Sequence, residues 1–157
     1  SFALARQHVI LESPPSGDPV EDGHRILAAL ARGRSYCAFD GLADARGARF
    51  RVISGGATGT LGDTVTWHPG ARLEVVLPTS DAGRATVEVV RVAEDPHGIP
   101  GSRSELDPGR GMSIPGPGIY RFEVMLERGR RVPWILTNPI RVATEGAEDG
   151  SGGEAMR

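Results

Sequence analysis

The stretch PGPGIYRFEVMLERGRRVPWILTNPIRV, Pro115–Val142, holds the densest cluster of large apolar side chains in the chain. From Tyr120 onward apolar residues alternate with Arg121 and Glu123, which is the period of a half-buried antiparallel strand. The apolar set is Tyr120, Phe122, Val124 and Leu126. Arg128–Arg130 then turns the chain, and Trp134 anchors the returning strand. The stretch therefore predicts a hairpin with one buried face.

Short apolar runs on both sides of this hairpin predict further strands. They are separated by turn residues such as His68-Pro69-Gly70 and Asp81-Ala82-Gly83. The expected strands are Gln7–Leu11, Ser35–Phe39, Ala48–Ile53, Asp63–Trp67, Arg72–Leu77, Ala85–Val92 and Ile140–Val142. Ala93–Gly118 is expected to be a long surface excursion, in which Leu106 and Met112–Ile114 could each add a brief strand. This spacing predicts a mainly β protein, an immunoglobulin-like antiparallel β-sandwich of about seven strands.

The order Pro-Gly-x-Tyr-x-Phe around Tyr120 is similar to an immunoglobulin-type tyrosine corner. In that motif a tyrosine hydroxyl anchors the preceding turn. We expect Tyr120 to do this here, with Trp134 covering the core.

One α-helix is expected before the sandwich, over Pro19–Arg32. Asp18 stands at the N-cap, Pro19 at the first helical position and Glu21 where a capping box would place it. Gly33 supplies the stop. Apolar residues recur on one side of this helix, at Val20, Ile26, Leu27 and Leu30.

Composition excludes several classes of function. The 157 residues carry 18 basic and 20 acidic side chains, a formal charge of −2, so we expect no nucleic-acid partner. All the basic residues are Arg, and without Lys the chain can have no Walker A loop and no Schiff-base lysine. Cys37 is the single cysteine, expected to be a small buried residue, so an intrachain disulfide is impossible. No apolar run approaches the roughly 18 residues of a membrane helix, and we expect no membrane partner.

The Gly-rich stretch Gly55–Gly62 does not have phosphate-binding spacing and is not followed by a helix, so we expect a flexible loop between strands. The four histidines, His8, His24, His68 and His97, have no metal-ligand spacing. Only Asp95 with His97 could supply two ligands from one loop, which is too few. Asp40 and Asp44 do not match a calcium loop and are expected to form a turn. The sequence thus predicts no catalytic, cofactor-binding or metal-binding residue.

Tyr120, Phe122 and Trp134 could stack on a sugar if they were exposed. The chain has only eight aromatic residues, two Trp, two Tyr and four Phe, and a sandwich of this size needs them inside. Packing in the core is therefore the favoured interpretation.

Several stretches together resemble PHP-domain (polymerase and histidinol phosphatase) metal-dependent phosphoesterases of the CehA/McbA type. Ile26–Tyr36 is similar to that family's last helix-to-strand step. Leu61–Val65, Pro117–Arg121 and Pro133–Ile140, with its PWILTNPI, resemble the C-terminal β-sandwich of the family. The resemblance implies a fold of barrel remnant plus sandwich, with residues 1–36 as the remnant, 37–144 as the sandwich and 145–157 as a flexible tail.

In that family a distorted barrel binds divalent metals and activates water against a phosphoester, with motifs that lie upstream of anything in this sequence. The resemblance therefore implies metals and catalysis for the parent protein and no cofactor or catalytic residue in this chain. The chain begins SFALARQHV, without Met, and is expected to be a piece of something longer.

The function expected from this resemblance is a non-catalytic accessory domain that supports an upstream catalytic barrel or mediates oligomer contacts. The apolar side of the helix would then need a cover, and we expect the chain alone to form a dimer or larger assembly. A different class stays open, an immunoglobulin- or fibronectin-like module that binds carbohydrate or protein through Ala93–Gly118. A free-standing hydrolase would need ligands that the chain lacks. The acid-rich tail, 145–157, is expected to be disordered unless a neighbouring molecule or the sandwich edge holds it.

Overall fold

The computed structural model describes residues 4–79, 83–92 and 101–146, and within them the chain forms one helix and twelve strands. The helix is α1 (Pro19–Ala31). The strands are β1 (Arg6–Val9), β2 (Ser35–Ala38), β3 (Arg49–Ser54), β4 (Ala57–Thr60), β5 (Thr64–Thr66), β6 (Arg72–Val76), β7 (Ala85–Val92), β8 (Ser102–Leu106), β9 (Met112–Ser113), β10 (Gly118–Glu127), β11 (Arg131–Thr137) and β12 (Ile140–Ala143). The predicted class is confirmed: the protein is a mainly β sandwich with one helix.

The predicted hairpin lies at the centre of the larger sheet. Strand β10 pairs with β11 and β12 along one edge and with β7 along the other. A register shift between Val124 and Met125 marks a bulge in the β10–β11 pair. The sheet then extends through β7 to β8, through β11 to β2 and β1, and through β12 to β5. All of these pairs are antiparallel except β12 with β5, which is parallel.

The smaller sheet has the order β4-β3-β6-β9 and is antiparallel throughout. Its buried side chains meet those of the larger sheet in one core, which includes every large apolar residue of β10 and β3 that alternation places inward. The rings of Phe50 on β3 and Phe122 on β10 have centroids 5.1 Å apart. This contact joins the two sheets at the middle of the sandwich.

The tyrosine corner is present. Tyr120 is buried, and its hydroxyl donates a hydrogen bond to the carbonyl oxygen of Gly116 at 2.5 Å. Trp134 is fully buried too, with Nε1 donating to the carbonyl of Ala43 at 2.9 Å. The sequence placed both residues in the core, and both are there.

Helix α1 starts as predicted but its first turn is capped differently. Asp18 accepts hydrogen bonds from the backbone N–H groups of Val20 and Glu21. The side chain that reaches back over the N-terminus is Asp22, which accepts from the backbone of Ser16 and Gly17. These bonds lower the pKa of Asp22 below its usual value, that from Ser16 most of all. The helix ends one residue earlier than predicted, with Arg32 as its C-cap.

One expectation about a loop was wrong. Gly55–Gly62 is not a flexible loop, because Ala57–Thr60 forms strand β4 and pairs with β3 around a turn at Gly55-Gly56. Gly59 on β4 is buried with Val65 directly above it, so a side chain at Gly59 would collide with Val65. Strand β4 passes so close to Val65 that it needs a glycine at this position. Because glycine is not a large apolar residue, the alternation expected of a strand is missing from the sequence of β4. The strand count of about seven was too low partly for this reason.

The stretch Ala93–Gly118 is more regular than a surface excursion. Ser102–Leu106 pairs with β7 as β8, and Met112–Ser113 pairs with β6 as β9, so both optional strands exist. Residues 93–100 lie outside the described part of the chain. So does most of the predicted tail, from residue 147 onward.

The predicted domain boundary between residues 36 and 37 falls inside β2. That strand pairs with β1 on one side and with β11 on the other, so the first strands belong to the larger sheet. Whether residues 1–36 derive from another domain stays a prediction.

Candidate functional site

Helix α1 carries an apolar surface that the described residues cover only in part. We define the α1 face as Val20, Gly23, Ile26, Leu27 and Leu30, which recur at intervals of three and four residues and so lie along one side of the helix. Val20 is 68% exposed and Leu27 is 65% exposed. Ile26 and Leu30 are exposed as well. The α1 face therefore lies in contact with solvent in the described structure.

The side of α1 that contacts the domain adjoins the α1 face but does not coincide with it. Ala29 is the buried residue of the helix. Arg25 on the same side donates to the carbonyl oxygens of Ser13 and Pro14, at 2.8 and 3.1 Å, and to Asp22 at 3.2 Å. A surface helix of a self-sufficient domain places its apolar stripe against the core and its polar side in water. Here the apolar stripe is turned partly outward, with Val20 and Leu27 in solvent, which is typical of a helix whose apolar side belongs to an interface.

The C-terminal end of α1 is fixed to the sandwich by close backbone contact. Gly62 lies so near Arg32 that a Cβ atom on Gly62 would be 1.9 Å from the Arg32 carbonyl oxygen. Asn138 donates from its side-chain amide to the Ser35 hydroxyl at 2.9 Å, just after the helix. Arg34 forms ion pairs with Asp63, at 2.9 Å, and with Glu12. These contacts hold the α1 face at a set orientation.

A second concave surface, which we call the β1 groove, runs between the two sheets at their open side. It has a volume of ≈ 440 Å³. Its walls include His8, Val9 and Ile10 from the region of β1, Tyr36 from β2, and Arg49 and Arg51 from β3. Arg46 and Thr60 also border it, and none of its lining residues is acidic.

The aromatic wall of the β1 groove is rigidly held. The rings of His8 and Tyr36 stack with centroids 4.8 Å apart. His8 Nε2 lies 3.0 Å from Asp40, and the Tyr36 hydroxyl donates to the Ala45 carbonyl at 2.8 Å. Burial, together with the charges of Asp40 and Asp44, raises the pKa of Tyr36 to about 12. Tyr36 is therefore neutral at physiological pH.

The histidines considered as ligands lie apart. His8 belongs to the β1 groove, His24 is exposed on α1, and His68 is exposed beside Gly55 at the β3–β4 turn. His97 and Asp95 lie outside the described residues. Across the described ranges, no group of three or more His, Cys, Asp or Glu side chains is placed to hold a metal ion.

Asp40 and Asp44 have the predicted turn-forming role. Asp40 accepts from the backbone N–H of Ala45, and Asp44 accepts from that of Arg46. The hydrogen bonds that Arg46 donates lower the pKa of Asp44 to about 2.

Cys37 is only half-buried, on the outer side of β2 opposite Leu136, rather than in the core.

The aromatic residues considered for sugar stacking are in the core. Tyr120, Phe122 and Trp134 are at most 1% exposed, so none of them can present a ring to a ligand.

The sequence pointed to the apolar side of α1 but gave no sign of the β1 groove. Only the pairing of strands places His8, Tyr36 and Arg49 together.

At 13 residues, α1 is too short to cross a bilayer, and the described part of the chain contains no helix suited to that role.

Comparison of the chain with protein-family models, with curated proteins and with solved structures found no match in any of the three.

Proposed function

We propose that this chain is a docking domain: its α1 face packs against a neighbouring domain of the same polypeptide and fixes that domain's position. The resemblance described above supplies the identity of the neighbour, a PHP-type metal-dependent phosphoesterase barrel. The divalent metals and the reaction would then belong to the neighbour, and this chain would act as its non-catalytic support. The observation that carries the docking role is the exposure of Val20 and Leu27, with the apolar stripe of α1 turned partly outward.

The size of the exposed apolar surface supports this role. Fully burying one large aliphatic side chain contributes about 1.5–3 kcal/mol, and the α1 face has two that are largely exposed, Val20 and Leu27, and two that are partly exposed, Ile26 and Leu30. Docking within one polypeptide avoids much of the entropy that two free molecules lose, because a linker keeps the local concentration of the partner high. A face of this size is therefore enough to hold two linked domains together.

The shape of the α1 face also suits a close neighbour. Gly23 lies between Val20 and Leu27 and has open space around it, since a Cβ there would meet nothing within 4 Å. Small residues among large ones let a partner element approach the helix backbone closely. The ion pairs of Arg34 and the contact of Gly62 with Arg32 would transmit that position to the sandwich.

The test is a double variant, Leu27→Glu with Leu30→Glu, in the parent polypeptide that carries the neighbouring domain. Both side chains are exposed here, so the sandwich itself should keep its stability. We expect limited proteolysis to cut between the domains faster in the variant and small-angle scattering to give a larger radius of gyration. Ala28→Glu, exposed on the same helix but not three or four residues from any member of the α1 face, is the matched control and should change neither measurement.

The chain on its own gives a second readout. With no neighbour present, we expect it to self-associate through the α1 face in sedimentation experiments, and the double variant to be monomeric. A parent protein whose domains stay together and whose proteolysis is unchanged in the double variant would overturn the docking proposal. A parent protein in which the α1 face pairs with a second copy would overturn the intrachain neighbour as its occupant.

A further inference from the structure

Strand β1 has an open edge. It pairs with β2 alone, and no other strand of the described residues lies beside its far edge. The backbone N–H of Ile10 donates to the carbonyl oxygen of Arg34 at 2.8 Å. This bond shows which residues of β1 direct their backbone groups towards β2, because the direction alternates along an antiparallel strand. Arg6 and His8 then bond towards β2, and the backbone N–H and C=O groups of Gln7 and Val9 point to the open side. These are the groups that an added strand would pair with.

The β1 groove lies along this open edge. Successive side chains of a strand point to opposite faces, so a concave surface beside one face would touch every second residue. His8, Val9 and Ile10 line the groove in succession, which places the groove beside the strand rather than on one of its faces. An extended peptide would therefore find backbone partners and a wall for its side chains in the same place.

The charge of the groove selects the peptide. Arg46, Arg49 and Arg51 line it together with His8, and no acidic residue does. Two of these arginines already have carboxylate neighbours, since Arg46 pairs with Asp44 at 2.6 Å and Arg51 lies 4.0 Å from Glu74. Arg49 makes no ion pair with any described residue, and its side chain is exposed. Asp40, the acidic group nearest the aromatic wall, is engaged by His8 and Arg6.

We propose that the β1 groove binds an acidic peptide segment of a partner protein in extended conformation, added as a strand beside β1. Backbone hydrogen bonds to Gln7 and Val9 hold the segment in register, as in other cases of strand addition. Carboxylates at alternate positions of the segment reach Arg49 and Arg51 on the face that carries His8 and Ile10, and the apolar positions between them lie against Val9 on the opposite face. The α1 face takes no part, so this binding is independent of the docking described above.

The test uses a fluorescein-labelled peptide, TEVEVET, and measures its binding to the chain by fluorescence polarisation. A peptide of the same length with lysine in place of glutamate, TKVKVKT, should bind at least about tenfold more weakly, because like charges would then meet in the groove. Added sodium chloride should weaken the binding of TEVEVET, since the screening length falls to about 3 Å at 1 M salt. N-methylation of alternate backbone nitrogens of TEVEVET should weaken binding to a similar degree by removing the donors that a strand needs.

The matched protein variants are Arg49→Glu and Arg130→Glu. Arg49→Glu should weaken TEVEVET binding at least about tenfold, whereas Arg130→Glu, the same change in the exposed β10–β11 turn, should not. Leu27→Glu on the α1 face should also leave the binding unchanged, which separates this result from the docking test. No binding of TEVEVET, equal binding of TKVKVKT, or an N-methylated peptide that binds as well as the parent peptide would each overturn the proposal.

Discussion

The hydroxyl of Tyr120 donates a hydrogen bond to the carbonyl oxygen of Gly116, four residues earlier, at 2.5 Å. The same hydroxyl accepts a hydrogen bond from Nε of Arg91 at 3.1 Å, and Arg91 also donates to the carbonyl of Pro117 at 2.6 Å. Arg91 is only 4% exposed. Tyr120 therefore closes the turn before β10 and also helps to hold a buried guanidinium.

Replacing Tyr120 with Phe removes both bonds and should lower the free energy of unfolding by about 1–3 kcal/mol, because a buried charged group loses a partner. Urea denaturation measures the loss as a lower midpoint at unchanged slope. Tyr36→Phe is the matched control, since that hydroxyl bonds one neutral carbonyl, that of Ala45. A loss for Tyr120→Phe no larger than that for Tyr36→Phe would contradict the role of the Arg91 contact.

Trp134→Ala should cost about 3–5 kcal/mol of unfolding free energy, since it leaves a cavity at the centre of the core and an unsatisfied carbonyl at Ala43. Leu27→Ala, which also truncates a large apolar side chain, should stay within about 0.5 kcal/mol because that side chain is exposed. Thermal and urea unfolding of the two variants compare them directly. Comparable losses would mean that the α1 face is buried in the isolated chain.

Gly62→Ala should be far more destabilising than Gly47→Ala. Both glycines have positive φ, +81° and +87°, so both substitutions carry a similar backbone strain of about 1–3 kcal/mol. Only at Gly62 would the new Cβ collide with the backbone of Arg32, while at Gly47 it meets nothing within 4 Å. The difference between the two unfolding free energies isolates the helix-to-sandwich contact, and equal values would show that α1 is not held there.

Alkaline pH should weaken the fold through Tyr36. Burial and the nearby charges of Asp40 and Asp44 raise its pKa from 10.0 to about 12, so the folded state favours the neutral phenol. The resulting stability is complete below pH 10 and is lost as the pH rises through about 12, a change of order 2 kcal/mol.

Absorbance at 295 nm follows this titration because the tyrosinate absorbs there, and the chain has only two tyrosines to separate. Burial also raises the pKa of Tyr120, against the opposing hydrogen bond from Arg91. Tyr36→Phe should therefore remove one of two late steps and flatten the stability curve above pH 10. A Tyr36 step at the ordinary tyrosine value would contradict the burial of its phenol near Asp40 and Asp44.

The elements that alternation could reveal were predicted well. From Tyr120 to Leu126 every second residue is large and apolar. Strand β10 begins at Gly118, two residues before the start expected from this alternation. Helix α1 was predicted from its cap residues and its apolar spacing and begins at Pro19 as expected. In both cases the signal is local, because one face of the element is chemically different from the other.

The elements that depend on distant contacts were missed or left ambiguous. Strand β4 is made of Ala57-Thr58-Gly59-Thr60, which shows no alternation, and it exists because it pairs with β3 and fits beneath Val65. Periodicity marked the apolar side of α1, but it could not tell that Arg25 and Ala29 would be the side in contact with the domain. The β1 groove needs the pairing of β1 with β2 and the open side of the sandwich, and neither follows from local sequence.

The close contact between Gly62 and the end of α1 fixes the position of the helix relative to the sandwich. The helix and strand β1 are adjacent in the chain and both are tied to the same sheet, through Ser35 and its neighbours. A domain bound to the α1 face and a peptide bound along β1 would therefore be held at a fixed angle and a fixed distance from each other. Pulling on the helix would load its contact with Gly62, whereas pulling on the strand would load the hydrogen bonds between β1 and β2.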